Sequence, residues 1–302
     1  MLFCFLSQSS LSQDSINISK PKFYPTWAVL LPGGTHYFDR KIVKGALFTT
    51  AEVGTIGLGL VYKDNLKTNS STAYHNYPLL LGTQIYTLDK LDVFRNFMEI
   101  NKSYRPALKY DPISTNQLLV QPLKPENIFT PITGGFILVA LIELYFEGSN
   151  ANHSFHEVEK MYLLNHYAER NQATLALGTV SLATSMGAGI TEEYIMRNCL
   201  MPVWDYKYGQ RKGLIYSSVF FGAMHFPNVL FSDHPDYKAA LIQVVEATIA
   251  GYFLGRDVQK RGYKIGPAIA AHTWYNFTLM LGSFLVNPEE NVFGVNVTFT
   301  IR

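Results

Sequence analysis

The chain has 302 residues, of which 48% are hydrophobic, 14% aromatic and only 16% charged, with a formal net charge of +2. A soluble domain usually carries about 25% charged residues, so the deficit points to a membrane protein with sizeable polar segments. The near-neutral balance and the lack of a basic tract argue against a nucleic-acid partner. Two cysteines, Cys4 and Cys199, are too few for a disulfide framework.

Residues 1–20 open with MLFCFLSQSS and turn polar. The apolar stretch is shorter than the roughly 7–15 residues a signal peptide needs, which predicts a disordered N-terminus. Pro32-Gly33-Gly34 then marks a turn between two apolar pieces. Asp39, Arg40, Lys41 and Lys44 precede an apolar run from Gly45 to Tyr62, long enough for a tilted span. His36 reads as an interfacial side chain. Residues 63–77 are polar, and Pro78 to Phe94 reads either as a short span or as a helix lying on the surface. With five prolines across 95–131, residues 95–130 read as a long extramembrane loop. Pro131 to Phe146 is a second clear span, with Glu143 expected at a solvated headgroup level. Residues 147–170 are polar and predicted helical toward their end, with His153, His156 and His166 as surface histidines.

Four apolar runs follow, at roughly 173–200, 213–232, 238–255 and 265–286. Each is long enough to span or nearly span a bilayer. The tail, 287–302, is polar and β-prone. Lys207, Arg211 and Lys212 lie between the first and second runs, and Arg256, Lys260, Arg261 and Lys264 between the third and fourth. The loop between them carries Asp233 and Asp236. In a serpentine the two basic loops share one side, which predicts that this side is cytoplasmic.

The expected architecture is an all-α, polytopic transmembrane bundle of about six to eight membrane helices with polar loops. Its parts are a disordered 1–20, N-terminal membrane helices with an extramembrane loop over 21–170, a C-terminal membrane domain over 171–286, and the polar tail over 287–302.

Chemistry concentrates in the last four runs. Glu192, Glu193 and Arg197 fall inside the first of them, where an ionisable group costs roughly 2.5–3.5 kcal/mol to insert and usually faces a protein interior or polar cavity. Glu193 and Arg197 are four apart and should pair on one helix face. Glu192 points about 100° away, which leaves it free to act. His225 follows Phe221 by one turn in the second run, and His272 precedes Asn276 by one turn in the fourth. Counted from the basic loops at ~1.5 Å per residue, all three groups lie roughly 10–18 Å deep, so one polar cavity can hold them. A carboxylate base, two imidazoles and an amide donor form the set a hydrolytic site needs.

The series Glu192-Glu193-Tyr-Ile-Met-Arg197, Phe221-Gly-Ala-Met-His225 and His272-Thr-Trp-Tyr-Asn276 resembles the three motifs of the CAAX protease and bacteriocin-processing (CPBP) family. These are intramembrane endopeptidases that include type II CAAX prenyl proteases and the Abi group. The stretch GYFLGRDVQKRGYKIGPAIAAH also looks like that family's penultimate helix, loop and final motif. The likeness covers about 170–286. The Tyr-Ile-Met filling departs from the larger aliphatics and Phe usual before the arginine.

The resemblance implies an integral membrane hydrolase that cuts a membrane-associated or lipidated peptide, with the bilayer and that substrate as partners. Glu192 would be general base on a water, and His225 would hold that water or a metal. His272 and Asn276 would stabilise the oxyanion, while Glu193 and Arg197 would fix the helix and tune the site. The family is called metalloprotease, which makes a divalent metal such as zinc on Glu192, His225 and His272 one expectation; a metal-free glutamate mechanism fits the same residues. A membrane binding or immunity protein that uses the same buried cluster without catalysis is the alternative.

Overall fold

A computed structural model of the chain describes residues 24–63, 77–163, 166–231, 236–289 and 297–299. The expected disordered N-terminus, the polar stretch 64–76 and much of the tail lie outside the described residues.

Two short helices, α1 (Thr26–Leu30) and α2 (Gly34–Phe38), flank the Pro32-Gly33-Gly34 turn. Gly33 sits at φ +66°, and a Cβ there would meet Gly45 O at 2.3 Å, so both the backbone sign and the close approach require glycine. Helix α3 (Ile42–Lys63) runs antiparallel to α4 (Tyr77–Tyr104). The ambiguous Pro78–Phe94 segment is thus the first part of a 28-residue helix, which packs on both α3 and α8.

The region expected to be a long loop differs most. Beyond Tyr104 the chain runs extended and then forms α5 (Thr115–Val120), a 3₁₀ turn (Gln121–Leu123) and α6 (Pro125–Ile128). Leu108, Ile113 and Leu118 are buried in the same core as Ile190, Tyr194, Ile265 and Ile269. Three apolar side chains among many polar ones are enough to fix this segment, because the rest of its surface stays outside.

Helix α7 (Pro131–Ser149) is capped by the Thr130 hydroxyl on Thr133 N–H. Residues 147–170, expected to become helical, instead enter a 3₁₀ turn (Phe155–Glu157) and strands β1 (Val158–Leu163) and β2 (His166–Glu169). The tail supplies β3 (Val297–Phe299), and the sheet order is β2-β1-β3 with both pairings antiparallel. Val158, Met161 and Ala168 turn inward, and Met161, with Ala168, joins a small core with Phe284. His153 lies 3.1 Å from Glu289 and stacks on Phe299.

Helix α8 (Arg170–Glu193) widens into a π-helix over Tyr194–Leu200 before α9 (Met201–Tyr208). Pro202 offers no N–H to the ladder and its ring would crowd the carbonyl four residues back. That is the physical reason for the wider turns. Helix α10 (Gln210–Ala223) is followed by a 3₁₀ stretch (Phe226–Phe231), α11 (Tyr237–Lys260) and α12 (Gly266–Val286). The second apolar run is therefore cut short: Pro227 disfavours helical geometry at the preceding residue, and His225 stands just past the end of α10.

Helix α12 is the axis of the C-terminal half and packs against α7 and α8, while α10 packs against α9 and α11. The two basic loops meet at one end of the bundle, where Asp205 accepts from Gln259 Nε2 at 2.8 Å and Tyr263 OH at 2.6 Å. Among the described residues, Pro131–Ser149 and Arg170–Tyr208 are long and apolar enough to cross a membrane. Side chains such as Leu138, Leu141 and Phe146 on α7 and Leu241, Val245 and Ile249 on α11 are exposed. Apolar faces of that extent fit lipid rather than water.

Helices α8 and α12 touch through Gly189, where an added Cβ would stand 2.3 Å from Thr273 Oγ1 and 3.0 Å from Ile269 O. Small residues let membrane helices approach closely. Gly189→Ala is expected to lower stability by about 1–3 kcal/mol through overpacking, measured as the thermal midpoint of detergent-solubilised protein.

Candidate active site

Five of the six residues singled out in the sequence come together where α8, α10 and α12 meet. Glu193 is wholly buried and uses both carboxylate oxygens. Its Oε1 accepts from His272 Nδ1 at 2.9 Å, and its Oε2 lies 3.2 Å from Arg197 Nε. The i,i+4 pairing survives the switch to π-helix because it spans the first widened turn. Arg197 is buried too, with its guanidinium 4.1 Å from the Phe221 ring centroid. Among the described residues neither Nη1 nor Nη2 has a hydrogen-bond partner, so Glu193 and the aromatic face carry the charge between them.

Glu192 differs from its neighbour in exposure: its side chain is 37% exposed and that of Glu193 0%. Glu192 Oε2 stands 3.9 Å from His225 Nε2 and 3.9 Å from His272 Nε2. Each imidazole is held by its other nitrogen. His225 Nδ1 lies 2.8 Å from the Phe221 carbonyl oxygen, so it is the N–H that donates there, which leaves Nε2 a lone pair in the neutral ring. His272 Nδ1 donates to Glu193 in the same way. Phe221 lies edge-on to both rings, 4.8 Å from His225 and 6.0 Å from His272. It separates the buried Arg197 from the open side of the site. Gly251 of α11 faces this contact, with its missing Cβ position 3.1 Å from Phe221 and 3.2 Å from Arg197.

Asn276 is one turn beyond His272 on α12 and half-buried. Its amide forms no hydrogen bond with Glu192, Glu193, His225 or His272, so the structure does not bring it into direct contact with the rest.

Several contributors were not singled out in the sequence. Asn198, next to Arg197, donates from Nδ2 to Asp111 O at 2.9 Å and accepts from Asp111 N at 2.7 Å. The Asp111 carboxylate accepts from Ile265 N at 3.2 Å, at the start of α12. Trp274 Nε1 donates to Pro122 O at 2.9 Å. The segment 105–128 therefore ties the helix of Glu192 and Glu193 to the helix of His272. The signal available was Asn198 itself, a polar residue inside an apolar run. Glu143, expected at a headgroup, accepts from Tyr275 OH at 3.0 Å.

Glu192, His225 and His272 are the donor types of a catalytic zinc site, but their spacing is wide. Two ligand atoms about 2.0–2.2 Å from a tetrahedral ion lie about 3.3–3.6 Å apart, less than the 3.9 Å here. No group of three or more His, Cys, Asp or Glu side chains among the described residues is arranged to hold a metal ion. The metal-bound arrangement does not fit these side chains as they stand.

A half-exposed carboxylate facing two imidazoles, with a buried ion pair behind it, is a set of groups that can activate water for hydrolysis. Residues 174–278 match the family model of the Rce1-like type II CAAX prenyl endopeptidases. The match covers the segment that carries the three motifs and supports a CAAX-type protease family for it. No curated protein and no solved structure matches the chain.

The two adjacent glutamates should respond differently to truncation. Glu193→Ala leaves Arg197 buried without its counter-ion and is expected to cost about 3–5 kcal/mol. Glu192→Ala removes a half-exposed group without hydrogen bonds and should change stability by about 0.5 kcal/mol or less. Denaturation of the two purified variants in the same detergent checks the contrast.

Proposed function

We propose that the chain is an intramembrane endopeptidase in which Glu192 activates water against a peptide bond of a membrane-associated substrate. The observation that carries this reading is the equal 3.9 Å separation of Glu192 Oε2 from the two imidazole Nε2 atoms. That gap is too long for a direct hydrogen bond and suits a bridging water.

In this mechanism the water donates one hydrogen bond to Glu192 and one to His225 Nε2. Glu192 takes the first proton as the water oxygen attacks the scissile carbonyl carbon. With Glu193 as counter-ion, His272 can carry a proton on both nitrogens, and its Nε2–H then donates to the oxyanion. The Asn276 amide, on the same face of α12, is the second donor once substrate is seated. The proton on Glu192 passes to the leaving nitrogen as the C–N bond breaks, and the new carboxyl end is released. Phe221 and the Glu193–Arg197 pair position both histidines.

The six long helices α3, α4, α7, α8, α11 and α12 are each 19 or more residues. They support a bundle of six or more spans, with the shorter α10 inside it. Lys207, Arg211, Lys212, Arg256, Lys260, Arg261 and Lys264 gather at one end, which favours that end as cytoplasmic. The substrate class that follows from the family is a membrane-anchored peptide cut near its C-terminus, and the half-exposed Glu192 fits an approach from the bundle surface.

The test is cleavage of a fluorogenic peptide panel, with and without a lipid anchor, by protein in liposomes. Glu192→Ala and His225→Ala should each lower kcat by about 10²-fold or more, and a chelator should leave wild-type activity unchanged. Activity that survives Glu192→Ala would remove the glutamate mechanism; activity lost to the chelator and restored by zinc would replace it with a metal-bound one.

A further inference from the structure

A second buried polar centre lies outside the family-matched segment, between α2, α3 and α4. Asp89 is its hub. Its carboxylate accepts from Gly33 N at 3.0 Å and Thr35 Oγ1 at 3.3 Å, and it contacts Lys90 Nζ. His36 Nε2 stands 3.2 Å from Asp89 Oδ1 without the alignment of a hydrogen bond. The ring stacks on Phe48, so the expected interfacial histidine is in fact a core residue. Glu52 of α3 completes the group, with its carboxyl in hydrogen-bonding reach of the Asp89 carboxyl. His36, Glu52, Asp89 and Lys90 are all buried.

The charges do not balance. Glu52 and Asp89 bring two carboxylates against one ammonium, and that ammonium is spent: Lys90 Nζ contacts Asp89 and donates to Leu31 O at 2.7 Å. The other cations facing the unit serve other acids. Lys41 lies near Asp39 and Asp92, Lys44 near Asp92, and Arg95 near Asp92 and Glu99. Tyr86 OH is donated to Val29 O. The Gly33 N–H, which comes near Glu52, is given to Asp89, and neither oxygen of Glu52 has a hydrogen-bond partner among the described residues. Two buried carboxylates in contact cannot both stay ionised, because each disfavours the charge of the other, and an unpaired buried charge is among the costliest features a fold can hold.

We propose that Glu52 and Asp89 form a proton-binding site, in which Glu52 carries the proton and donates it to the Asp89 carboxylate. The proton supplies the donor that Asp89 lacks on that side and removes the charge that Glu52 cannot pair. The protonated pair joins α3 to α4 and, through Gly33 and Thr35, to the turn before α2. Loss of the proton on the alkaline side leaves a net negative charge in the core of this unit and loosens it.

The experiment is an infrared difference spectrum, acid minus alkaline, of the full chain in detergent, with thermal midpoints over the same pH range. The wild type should show the carbonyl band of a buried protonated carboxylic acid, and its midpoint should fall by several degrees toward alkaline pH. Glu52→Gln, whose amide can donate to Asp89 without titrating, should lose the band and flatten the midpoint curve. Glu52→Asp, the second variant should the glutamine form fail to fold, should shift the band in frequency. A wild-type spectrum without the band, or a band unchanged in both variants, overturns the proposal. So does a pH-dependence that persists in Glu52→Gln and vanishes in His36→Asn, which would place the proton on the imidazole.

Discussion

The C-terminal half of the molecule depends on one buried carboxylate. Glu193 pairs with Arg197 along its own helix and with His272 across to α12. Neither partner is tolerable at that depth without it: Arg197 would be an isolated charge, and His272 would lose the acceptor that fixes its ring. Because Glu193 is committed on both oxygens, its neighbour Glu192 is the carboxylate with freedom left. The division of labour between adjacent glutamates follows from helix geometry, since consecutive residues point about 100° apart. A strand would send them to opposite faces, and only a helix lets both approach the same histidine.

The backbone departs from regularity where this arrangement needs it. The π-helix begins at Tyr194, directly after the two glutamates, and Pro202 closes it. Wider turns let Arg197 reach back to Glu193 while Asn198 reaches outward to Asp111. Pro227 ends α10 in a way that puts His225 at a helix terminus, where its Nδ1 can use the Phe221 carbonyl that a continuing helix would have claimed. Glycines at 189 and 251 remove the Cβ atoms that would hold α8 from α12 and α11 from α10. Each device is local, and together they bring three helices within the span of one water molecule.

Much of this was legible in the sequence because polar residues in apolar runs are costly and therefore informative. The Glu193–Arg197 pair is fixed by its spacing of four, and the Phe221–His225 contact likewise. The family follows from the order of three short motifs, none of which would suffice alone. What stayed hidden depended on contacts between distant segments. Leu108, Ile113 and Leu118 lie in a proline-rich stretch whose composition suggests a loop, yet they pack under α8 and α12. The β1–β2 pair was hidden by the polar residues of its outer face. His36 was misread because its partner, Asp89, is 53 positions along the chain, and no local pattern announces a buried contact of that range.

The two polar centres follow opposite electrostatic rules, and the contrast explains which of them faces outward. At the C-terminal centre, Glu193 and Arg197 neutralise each other, so the remaining carboxylate, Glu192, can stay half-exposed. At the N-terminal centre the same count of two carboxylates meets a lysine already engaged by Asp89 and two backbone carbonyls. There is no opening to solvent for Glu52, so its charge must be removed. A membrane bundle can keep a reactive carboxylate only at the edge of its polar core, with a neutralised pair behind it; one enclosed on all sides becomes a proton carrier or a structural acid. Glu192 and Glu52 differ less in chemistry than in whether a cation was placed beside the neighbour that would otherwise compete with them.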